Sequence, residues 1–423
     1  MPGSTKGPLT RLRGNAADGL VRTEYPHPCP LLGDAVAPRR GRETKTPASV
    51  LASPPPLRGR DRVGGILPAL HLAMALALLF ASTPALAADY SVTSEKVKAL
   101  TGPNAPAPMK GPDICGTDLG TMAEIDGKIV LAFGDTFGWN ENACIRFGPN
   151  WRSNVVAFTS DLDASDGIVI DDWVTGEDGK AVEIAKGAHQ DAFKGEQTKI
   201  PTAMVTVGDT LYLHYMSVNG FSSMGGVWLC NWSRFISSSD GGKTWSPATD
   251  EFGSFKSSFN MLALSAQKGA GNEDGKYVYA IGTPCGRFSG ARVGRVAADK
   301  VLDTKAWEYF DGSGWVSDRA QAAEVIKPGA GEGSLVWNPG IKLWMYSTLN
   351  ELSEAIELRF AERPEGPWSA PEVLARGSDY AQAYGAYMTP SWISEDGLTF
   401  WFVMSQFGPY NTYIMKAVLT PDR

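Results

Sequence analysis

The stretch from Thr117 to Phe137 predicts a tight β-hairpin, and its register constrains the rest of the chain. It reads T-D-L-G-T-M-A-E-I-D-G-K-I-V-L-A-F-G-D-T-F, with Asp126-Gly127 between two β-prone runs. Asp-Gly is a strong hairpin signal because a type I′ turn needs positive φ at both central residues. A two-residue turn fixes the pairing, so counting back along both strands places Asp118 directly opposite Asp135.

Two carboxylates on facing positions are unfavourable for a sheet. Like charges directly opposite destabilise a strand pair by a few tenths to about 1 kcal/mol. A glycoside hydrolase, by contrast, needs one carboxylic acid to protonate the leaving oxygen and a second carboxylate as nucleophile or base. The structural alternative is that Asp118 caps a strand and Asp135 begins a turn. We take catalysis by Asp118 and Asp135 as the working hypothesis.

The pattern of this hairpin recurs four more times along the chain. Each unit has a β run, a tight turn, an aromatic-rich second run and one or two outer strands. The inner hairpins are expected at residues 117–137, 201–218, 258–283, 333–348 and 386–405. Five such units, spaced by roughly 40–80 residues, predict an all-β, five-bladed β-propeller. A β-sandwich is the main alternative.

One turn in the second unit has a recognisable pattern. Residues Ser238 to Trp245 read S-S-D-G-G-K-T-W and match the Asp box, S-x-D-x-G-x-T-W. This motif recurs in sialidase-like propellers, where the Asp and Thr satisfy local backbone donors and the Trp packs into the blade. Because Asp, Ser and Gly turn chemistry explains it fully, we interpret it as structural. Residues Ser394 to Phe400 form a shortened echo.

The two ends of the chain differ in charge. Of 39 basic and 46 acidic residues, residues 1–87 hold 11 and five, so the remainder has 28 basic and 41 acidic residues and a net charge of −13. An acidic body disfavours nucleic acid and anionic membrane surfaces as partners. The partner expected instead is a polysaccharide substrate, bound by a monomer.

Residues 63–87 have the layout of a signal peptide. Three arginines precede an apolar run from Leu67 to Phe80, which is followed by S-T-P-A-L-A and predicted cleavage near Ala87. The run is shorter than the ~20 residues that a spanning helix needs, so no stable membrane anchor is expected. The sequence therefore predicts a secreted or periplasmic protein.

The signal peptide sets the domain boundaries. Residues 1–62, rich in Pro and Arg and without pattern, are interpreted as a non-native or disordered extension. Residues 88–423 are expected to form a single catalytic domain. Within it, residues 88–112 are expected to be an N-terminal arm.

Export permits disulfides, and the body after residue 87 has four cysteines. They are Cys115, Cys144, Cys230 and Cys285, and four cysteines allow three pairings. Cys115 and Cys144 leave the same end of the first hairpin, so we predict Cys115–Cys144, with Cys230–Cys285 linking the second and third blades. None of the spacings resembles a zinc ligand set, and neither a metal nor a cofactor is expected.

Several segments, in order, resemble one family. They are T-D-L-G with F-G-D-T-F, R-S-N-V-V, I-P-T-A-M followed by Y-L-H-Y-M-S-V, the Asp box, E-R-P-E-G-P-W-S and Y-G-A-Y-M-T-P. Over about residues 100–420 the chain resembles the secreted bacterial endo-D-arabinanases of glycoside hydrolase family 183, formerly a domain of unknown function.

This resemblance implies a five-bladed propeller that cleaves α-linked D-arabinofuranan of mycobacterial-type cell walls. It also implies that the essential acids lie in the motifs containing Asp118 and Asp135. The chain departs from the expected pattern at two positions, where Ala203 and Thr389 stand in place of Gly and His.

Further candidates follow from propeller geometry, because the first strand of each blade lines the central channel and begins at one mouth. Each of them singly is also compatible with a core or rim role. The candidates at the blade starts are Thr202, Asn260, Glu332 and Tyr387; those for holding sugar hydroxyls are Arg152, Asn154 and Arg287; those for stacking on a furanose are Trp139 and Tyr384. Glu332, flanked by glycines, is a candidate third carboxylate, whereas mid-strand His214 is expected to be a packed histidine.

Three functions remain open from the sequence. The leading hypothesis is a secreted, endo-acting hydrolase of an arabinofuranan. A non-catalytic sugar-binding propeller would keep the aromatic residues without requiring opposed aspartates. A sialidase-like hydrolase would instead use an arginine cluster and a tyrosine nucleophile.

Overall fold

The structure is a computed structural model that describes residues 90–107 and 109–422. The predicted extension at 1–62 and the predicted signal peptide at 63–87, with its cleavage site, lie outside the described residues.

The described residues are almost entirely β-strand and loop, with two short 3₁₀ helices. The strands are β1 (Tyr90–Ala99), β2 (Leu119–Ile125), β3 (Lys128–Phe133), β4 (Val155–Thr159), β5 (Asp172–Trp173), β6 (Thr198–Val207), β7 (Thr210–Phe221), β8 (Trp228–Ser238), β9 (Gly253–Ser254), β10 (Met261–Ser265), β11 (Tyr277–Thr283), β12 (Ala291–Ala297), β13 (Glu308–Phe310), β14 (Trp315–Val316), β15 (Glu324–Ile326), β16 (Ala330–Asn338), β17 (Leu343–Asn350), β18 (Ala355–Ala361), β19 (Glu372–Arg376), β20 (Ala383–Ile393), β21 (Thr399–Gln406) and β22 (Asn411–Pro421). The 3₁₀ helices are Ala298–Lys300 and Arg319–Gln321.

These strands form five antiparallel sheets that succeed one another along the chain. The orders are β2-β3-β4-β5, β6-β7-β8-β9, β10-β11-β12-β13-β14 with β15 on β12, β16-β17-β18-β19, and β20-β21-β22-β1. The innermost strands β2, β6, β10, β16 and β20 each contact the next, and β20 contacts β2 again. This closed ring confirms the predicted five-bladed β-propeller.

The first strand of the body closes the ring. β1 pairs antiparallel with β22, from Tyr90 opposite Pro421 to Ala99 opposite Tyr413. The prediction of an arm was therefore wrong for residues 90–99. The side chains of β1 alternate between half-buried and exposed over most of its length, as expected for an edge strand with one face packed on the sheet. The fifth blade thus contains both ends of the domain.

Inner strands are buried on both faces because each blade packs between two neighbours. All five residues of β10, M-L-A-L-S, are buried. The same holds for the last five residues of β3, I-V-L-A-F. This explains why the sequences of the inner strands are nearly continuous runs of apolar residues rather than alternating apolar and polar residues.

The Asp box is a structural turn between β8 and β9. The Asp240 carboxylate accepts hydrogen bonds from the backbone N–H groups of Lys243 and Thr244 and from the Thr244 hydroxyl, at 2.6–3.0 Å. The Trp245 indole donates to the Gly242 carbonyl at 3.0 Å and packs partly buried on the blade. All of these groups satisfy one another locally, as the sequence predicted.

Strand direction places five loops on one face of the ring. They join the second to the third strand of each blade and comprise residues 134–154, 222–227, 284–290, 351–354 and 407–410. We call them the rim loops and their face the mouth, because the inner strands begin on the same face.

Two disulfides brace the mouth, and both have the predicted partners. Cys115–Cys144, which we call the rim disulfide, ties the first rim loop to the segment before β2, with a Cα–Cα distance of 5.2 Å. Cys230–Cys285 joins β8 of the second blade to the rim loop of the third, with a Cα–Cα distance of 6.0 Å.

Candidate active site

The first hairpin turns where the sequence predicts. Asp126 and Gly127 have φ values of 51° and 71°, the positive pair that a type I′ turn requires. Ile125 and Lys128 are paired directly beside the turn.

The register nevertheless changes before the hairpin reaches the mouth. A bulge lies between Leu119 and Thr121, where Leu119 and Gly120 have φ values of 64° and 109°. As a result the Asp118 carbonyl accepts from the Gly134 N–H at 3.0 Å, and Asp118 faces Gly134 rather than Asp135. The predicted direct opposition is wrong by one residue, because a bulge puts an extra residue on one strand.

Gly134 leaves room for the Asp118 carboxylate. A Cβ atom built at Gly134 would overlap Asp118 Oδ1. That oxygen is buried and has no hydrogen-bond partner among the described residues, whereas Oδ2 accepts from the Tyr384 hydroxyl at 2.8 Å. One carboxylate oxygen of Asp118 therefore has a single hydrogen-bond donor, and the other oxygen has none among the described residues.

These surroundings favour the protonated form of Asp118. Burial raises the pKa of Asp118 to about 8, and the nearby charges of Asp135 and Glu332 act in the same direction. The hydrogen bond from Tyr384 and, to a lesser degree, the nearby Tyr410 hydroxyl lower the pKa of Asp118 but do not offset burial. At neutral pH Asp118 is therefore mainly protonated.

The Asp135 carboxylate accepts more hydrogen bonds than that of Asp118. Its Oδ1 accepts from the Trp151 indole at 2.7 Å and from the Thr198 hydroxyl at 2.6 Å. Burial raises the pKa of Asp135 to about 6, against the lowering effects of Thr198, Trp151 and the nearby His189 ring. At neutral pH Asp135 is mainly an anion.

His189 and Glu183 support Trp151 from behind. The centroid of the His189 ring lies 4.4 Å from that of Trp151, edge to face. His189 Nε2 is 2.6 Å from Glu183 Oε1, and Glu183 also accepts from the backbone N–H groups of Ser153 and Gly187. These residues lie on loops, and the spacing of residues in the sequence did not reveal them.

Glu332 and Arg287 form a buried ion pair close to the carboxylates. Arg287 binds both oxygens of Glu332 at 2.9 Å and approaches Glu351 at 3.5 Å. Burial acts to lower the pKa of Arg287, but these carboxylates raise it above its ordinary value. The guanidinium also lies 5.0 Å from the Tyr384 ring and 5.4 Å from the Trp228 ring. Both carboxylate oxygens of Glu332 are therefore bound by Arg287.

Tyr387 completes the inner edge of the site. Its hydroxyl is buried without a hydrogen-bond partner in the described part of the chain. Burial raises its pKa well above the ordinary value, and the charges of Glu332 and Asp118 add to this. The Tyr387 hydroxyl therefore lies near Asp118 and Glu332 without a partner among the described residues.

Three of the residues predicted to bind sugar have hydrogen-bond partners in and around the first rim loop. Arg152 donates to the Asp113 carbonyl at 2.7 Å. The Trp139 indole donates to the Ile114 carbonyl at 2.9 Å. Asn154 donates to two backbone carbonyls and accepts from two backbone N–H groups. Their polar groups hold the loop that carries Trp151.

Two predicted channel residues also have structural partners. Thr202 Oγ1 is 2.6 Å from Nδ1 of His214, which is fully buried and whose pKa is lowered to about 3 by burial. His214 is the packed histidine that was expected. Asn260 donates to the Ser254 carbonyl at 2.8 Å. The residue of β6 that contacts Asp135 is Thr198, four positions before Thr202, because β6 begins earlier than predicted.

A cavity of about 230 Å³ lies further along the channel, lined by all five inner strands. Thr389 donates there to Glu124 at 2.5 Å. Ala203 and Thr389, the two departures from the expected family pattern, both line this cavity. Tyr387 lines the same cavity.

Within 90–107 and 109–422, no three His, Cys, Asp or Glu side chains are grouped so as to hold a metal ion. In the same ranges no helix has the length and apolarity needed to cross a membrane.

The fold and these residues define a class: a five-bladed β-propeller with two buried carboxylates of unequal pKa at its mouth. The chain belongs to the family described as Domain of unknown function (DUF4185), which matches residues 106–416. No curated protein matches the chain.

Solved structures of similar fold share little sequence with the chain. A presumed hydrolase from Bacteroides ovatus ATCC 8483 is 12% identical with a TM-score of 0.53, covering 73% of this chain and 87% of that one. A xylan β-1,4-xylosidase from Bacillus halodurans has 12% identity, a TM-score of 0.41 and coverage of 73% and 54%. An α-L-arabinofuranosidase from Podospora anserina in complex with cellotriose has 9% identity, a TM-score of 0.42 and coverage of 79% and 98%.

Proposed function

We propose that the protein is a secreted glycoside hydrolase that cleaves α-D-arabinofuranosyl linkages within a cell-wall arabinan. Asp118 is the general acid and Asp135 the second carboxylate. The observation that carries this proposal is the unequal environment of the two side chains, which raises the pKa of Asp118 to about 8 and that of Asp135 to about 6. Separated pKa values on neighbouring carboxylates are the arrangement that acid–base catalysis at neutral pH requires.

The chemistry follows from these protonation states. Asp118 transfers its proton to the glycosidic oxygen as the bond to the anomeric carbon breaks. Asp135 either attacks that carbon, giving a glycosyl ester that water later hydrolyses with Asp118 as base, or takes a proton from an attacking water.

The substrate class is supported by sequence and charge. The family resemblance points to D-arabinofuranan, and the net charge of −13 after residue 87 suits a neutral polysaccharide. A sialidase would need arginines available for a substrate carboxylate, but Arg287 is already bound by Glu332 and Glu351. A non-catalytic sugar-binding propeller has no use for a proton donor beside an anionic carboxylate.

The test is hydrolysis by the exported protein of four substrates: mycobacterial arabinogalactan, isolated D-arabinan, L-arabinan and a sialoside. We expect a ladder of oligosaccharides from the two substrates that contain D-arabinan. Asp118→Asn and Asp135→Asn should each abolish it while leaving the fold intact. Near-normal turnover by either variant would remove the paired-carboxylate mechanism.

Export is a separate part of the proposal. The predicted cleavage site and the two disulfides are its support. N-terminal sequencing of the exported protein should begin at or near Ala88. A mature protein that retains Met74 would contradict the signal-peptide prediction.

A further inference from the structure

An aromatic cluster extends from Asp118 to the surface of the mouth. The Tyr410 hydroxyl lowers the pKa of Asp118. The Tyr410 ring packs against Phe137, Phe147 and Phe407 with centroid distances of 5.7, 5.0 and 5.9 Å. Tyr410 and Phe137 are buried, whereas Phe407 is 42% exposed. The exposed Phe407 ring therefore contacts Tyr410, the ring that lies beside Asp118.

A guanidinium covers the outer rings of this cluster. The Arg146 Cζ atom lies 4.5 Å from the centroid of Phe147 and 4.1 Å from that of Phe407. Arg146 Nε is buried and has no hydrogen-bond partner among the described residues. Planar donors and aromatic faces therefore stand together next to the site.

The cluster is built from two rim loops that the fold holds in place. Arg146 and Phe147 lie in the first rim loop, which the rim disulfide ties down directly before them. Phe407 and Tyr410 lie in the loop between β21 and β22, and the Tyr410 carbonyl accepts from the Thr117 N–H at 2.8 Å. A surface anchored at both sides is suited to binding without large ordering costs.

We propose that Arg146, Phe147 and Phe407 form a subsite for a neutral sugar residue adjacent to the one that is cleaved. This inference rests on the proposed function and deepens it, because a bound neighbour residue selects chains over single sugars. Arg146 lies over part of these rings, so the C–H face of the sugar packs on the exposed part of Phe407, and the edge of the guanidinium donates to hydroxyls. An anionic residue is disfavoured by the acidic body and by the Asp135 anion close by.

Phe407→Ala in the exported enzyme tests the subsite on D-arabinan. Loss of one stacked anchor should lower kcat/KM about tenfold, mainly through a higher KM. Phe407→Trp, which keeps an aromatic face, should stay near the wild-type value. The control is Leu302→Ala: Leu302 is 37% exposed and follows β12 on the face opposite the mouth, so its removal should change nothing.

A binding arm separates this inference from the proposed function. D-arabinan should retard the Asp118→Asn protein in affinity electrophoresis. Adding Phe407→Ala should lower the affinity for D-arabinan measured in this way about tenfold. If the wild type hydrolyses no arabinan but Phe407→Ala still weakens binding, the proposed function fails and the subsite stands. If hydrolysis is normal and Phe407→Ala alters neither KM nor binding, the subsite fails alone. If the wild type neither hydrolyses nor binds D-arabinan, both the proposed function and the subsite are overturned.

Discussion

The raised pKa of Asp118 predicts that Asp118→Asn stabilises the protein, and more so as the pH rises. Folded Asp118 keeps a proton up to about pH 8, whereas the unfolded chain releases it near pH 4. Between these values the folded state binds more protons than the unfolded state. The free energy of unfolding of the wild type therefore falls with increasing pH in this window.

The size of the effect follows from the proton count. Between pH 5 and pH 7 the folded state holds nearly one extra proton at Asp118, and each pH unit costs about 1.4 kcal/mol. The wild type should therefore lose about 2–3 kcal/mol across this range because of Asp118. Asn carries no titratable proton, so Asp118→Asn removes this slope. Asp135 titrates in both proteins and largely cancels in the comparison.

The assay is urea denaturation at pH 5, 6 and 7 with the disulfides intact, comparing wild type and Asp118→Asn. The difference in free energy of unfolding should widen by about 2–3 kcal/mol from pH 5 to pH 7. The control is Asp209→Asn, since Asp209 is exposed in the turn between β6 and β7. Parallel pH curves for wild type and Asp118→Asn would refute the argument that Asp118 is protonated in the folded protein.

Three further predictions concern the same site. Gly134→Ala should displace the Asp118 carboxylate and lower kcat about tenfold to a hundredfold, whereas Gly314→Ala, with no atom within 4 Å of the added Cβ, should not. Tyr384→Phe removes a donor that lowers the pKa of Asp118, so the basic limb of the kcat/KM profile should move about one unit to higher pH; an unmoved limb would mean that Asp118 is not the acid. Replacing both cysteines of the rim disulfide, which are 29 positions apart, by serine should lower the free energy of unfolding by about 3–4 kcal/mol in urea titrations; an unchanged midpoint would show that the loop is ordered without it.

Much of the fold was predictable because local signals determine it. Asp126-Gly127 fixes a turn by its backbone preference alone, and the recurring hairpins give the number of blades. The Cys115–Cys144 pairing followed from the end of the first hairpin that both cysteines leave, and Cys230–Cys285 was the remaining pair. β1 was missed because an edge strand that pairs with the far end of the chain has no partner nearby in the sequence.

The site was less predictable because its register depends on bulges. Four of the five inner hairpins change register near the mouth, at Gly120, at Thr202, between Ala330 and Gly333, and at Gly385. Counting from a turn cannot detect such a shift. Bulges are common beside active sites, where they redirect side chains. Asp118 was assigned to the right end of the right strand but to the wrong partner.

The bulge beside Asp118 carries strain that the fifth blade offsets. Leu119 adopts φ of 64°, which is unusual for a bulky residue. The Ser405 hydroxyl on β21 accepts from the Leu119 N–H at 2.8 Å and so holds this conformation. Because β21 lies in the blade that β1 closes, the geometry at Asp118 depends on contacts between the two ends of the domain. No local pattern around Asp118 contains that information.

The unequal roles of the two carboxylates follow from which donors the fold supplies. Asp135 receives two donors on one oxygen, Trp151 from the first rim loop and Thr198 from the second blade. Asp118 receives Tyr384 on one oxygen, while its other oxygen is buried against Gly134 without a partner. Donors stabilise an anion, and an unpartnered buried oxygen disfavours it. The hairpin brings both acids to the mouth, but the neighbouring blades and loops decide which of them keeps the proton.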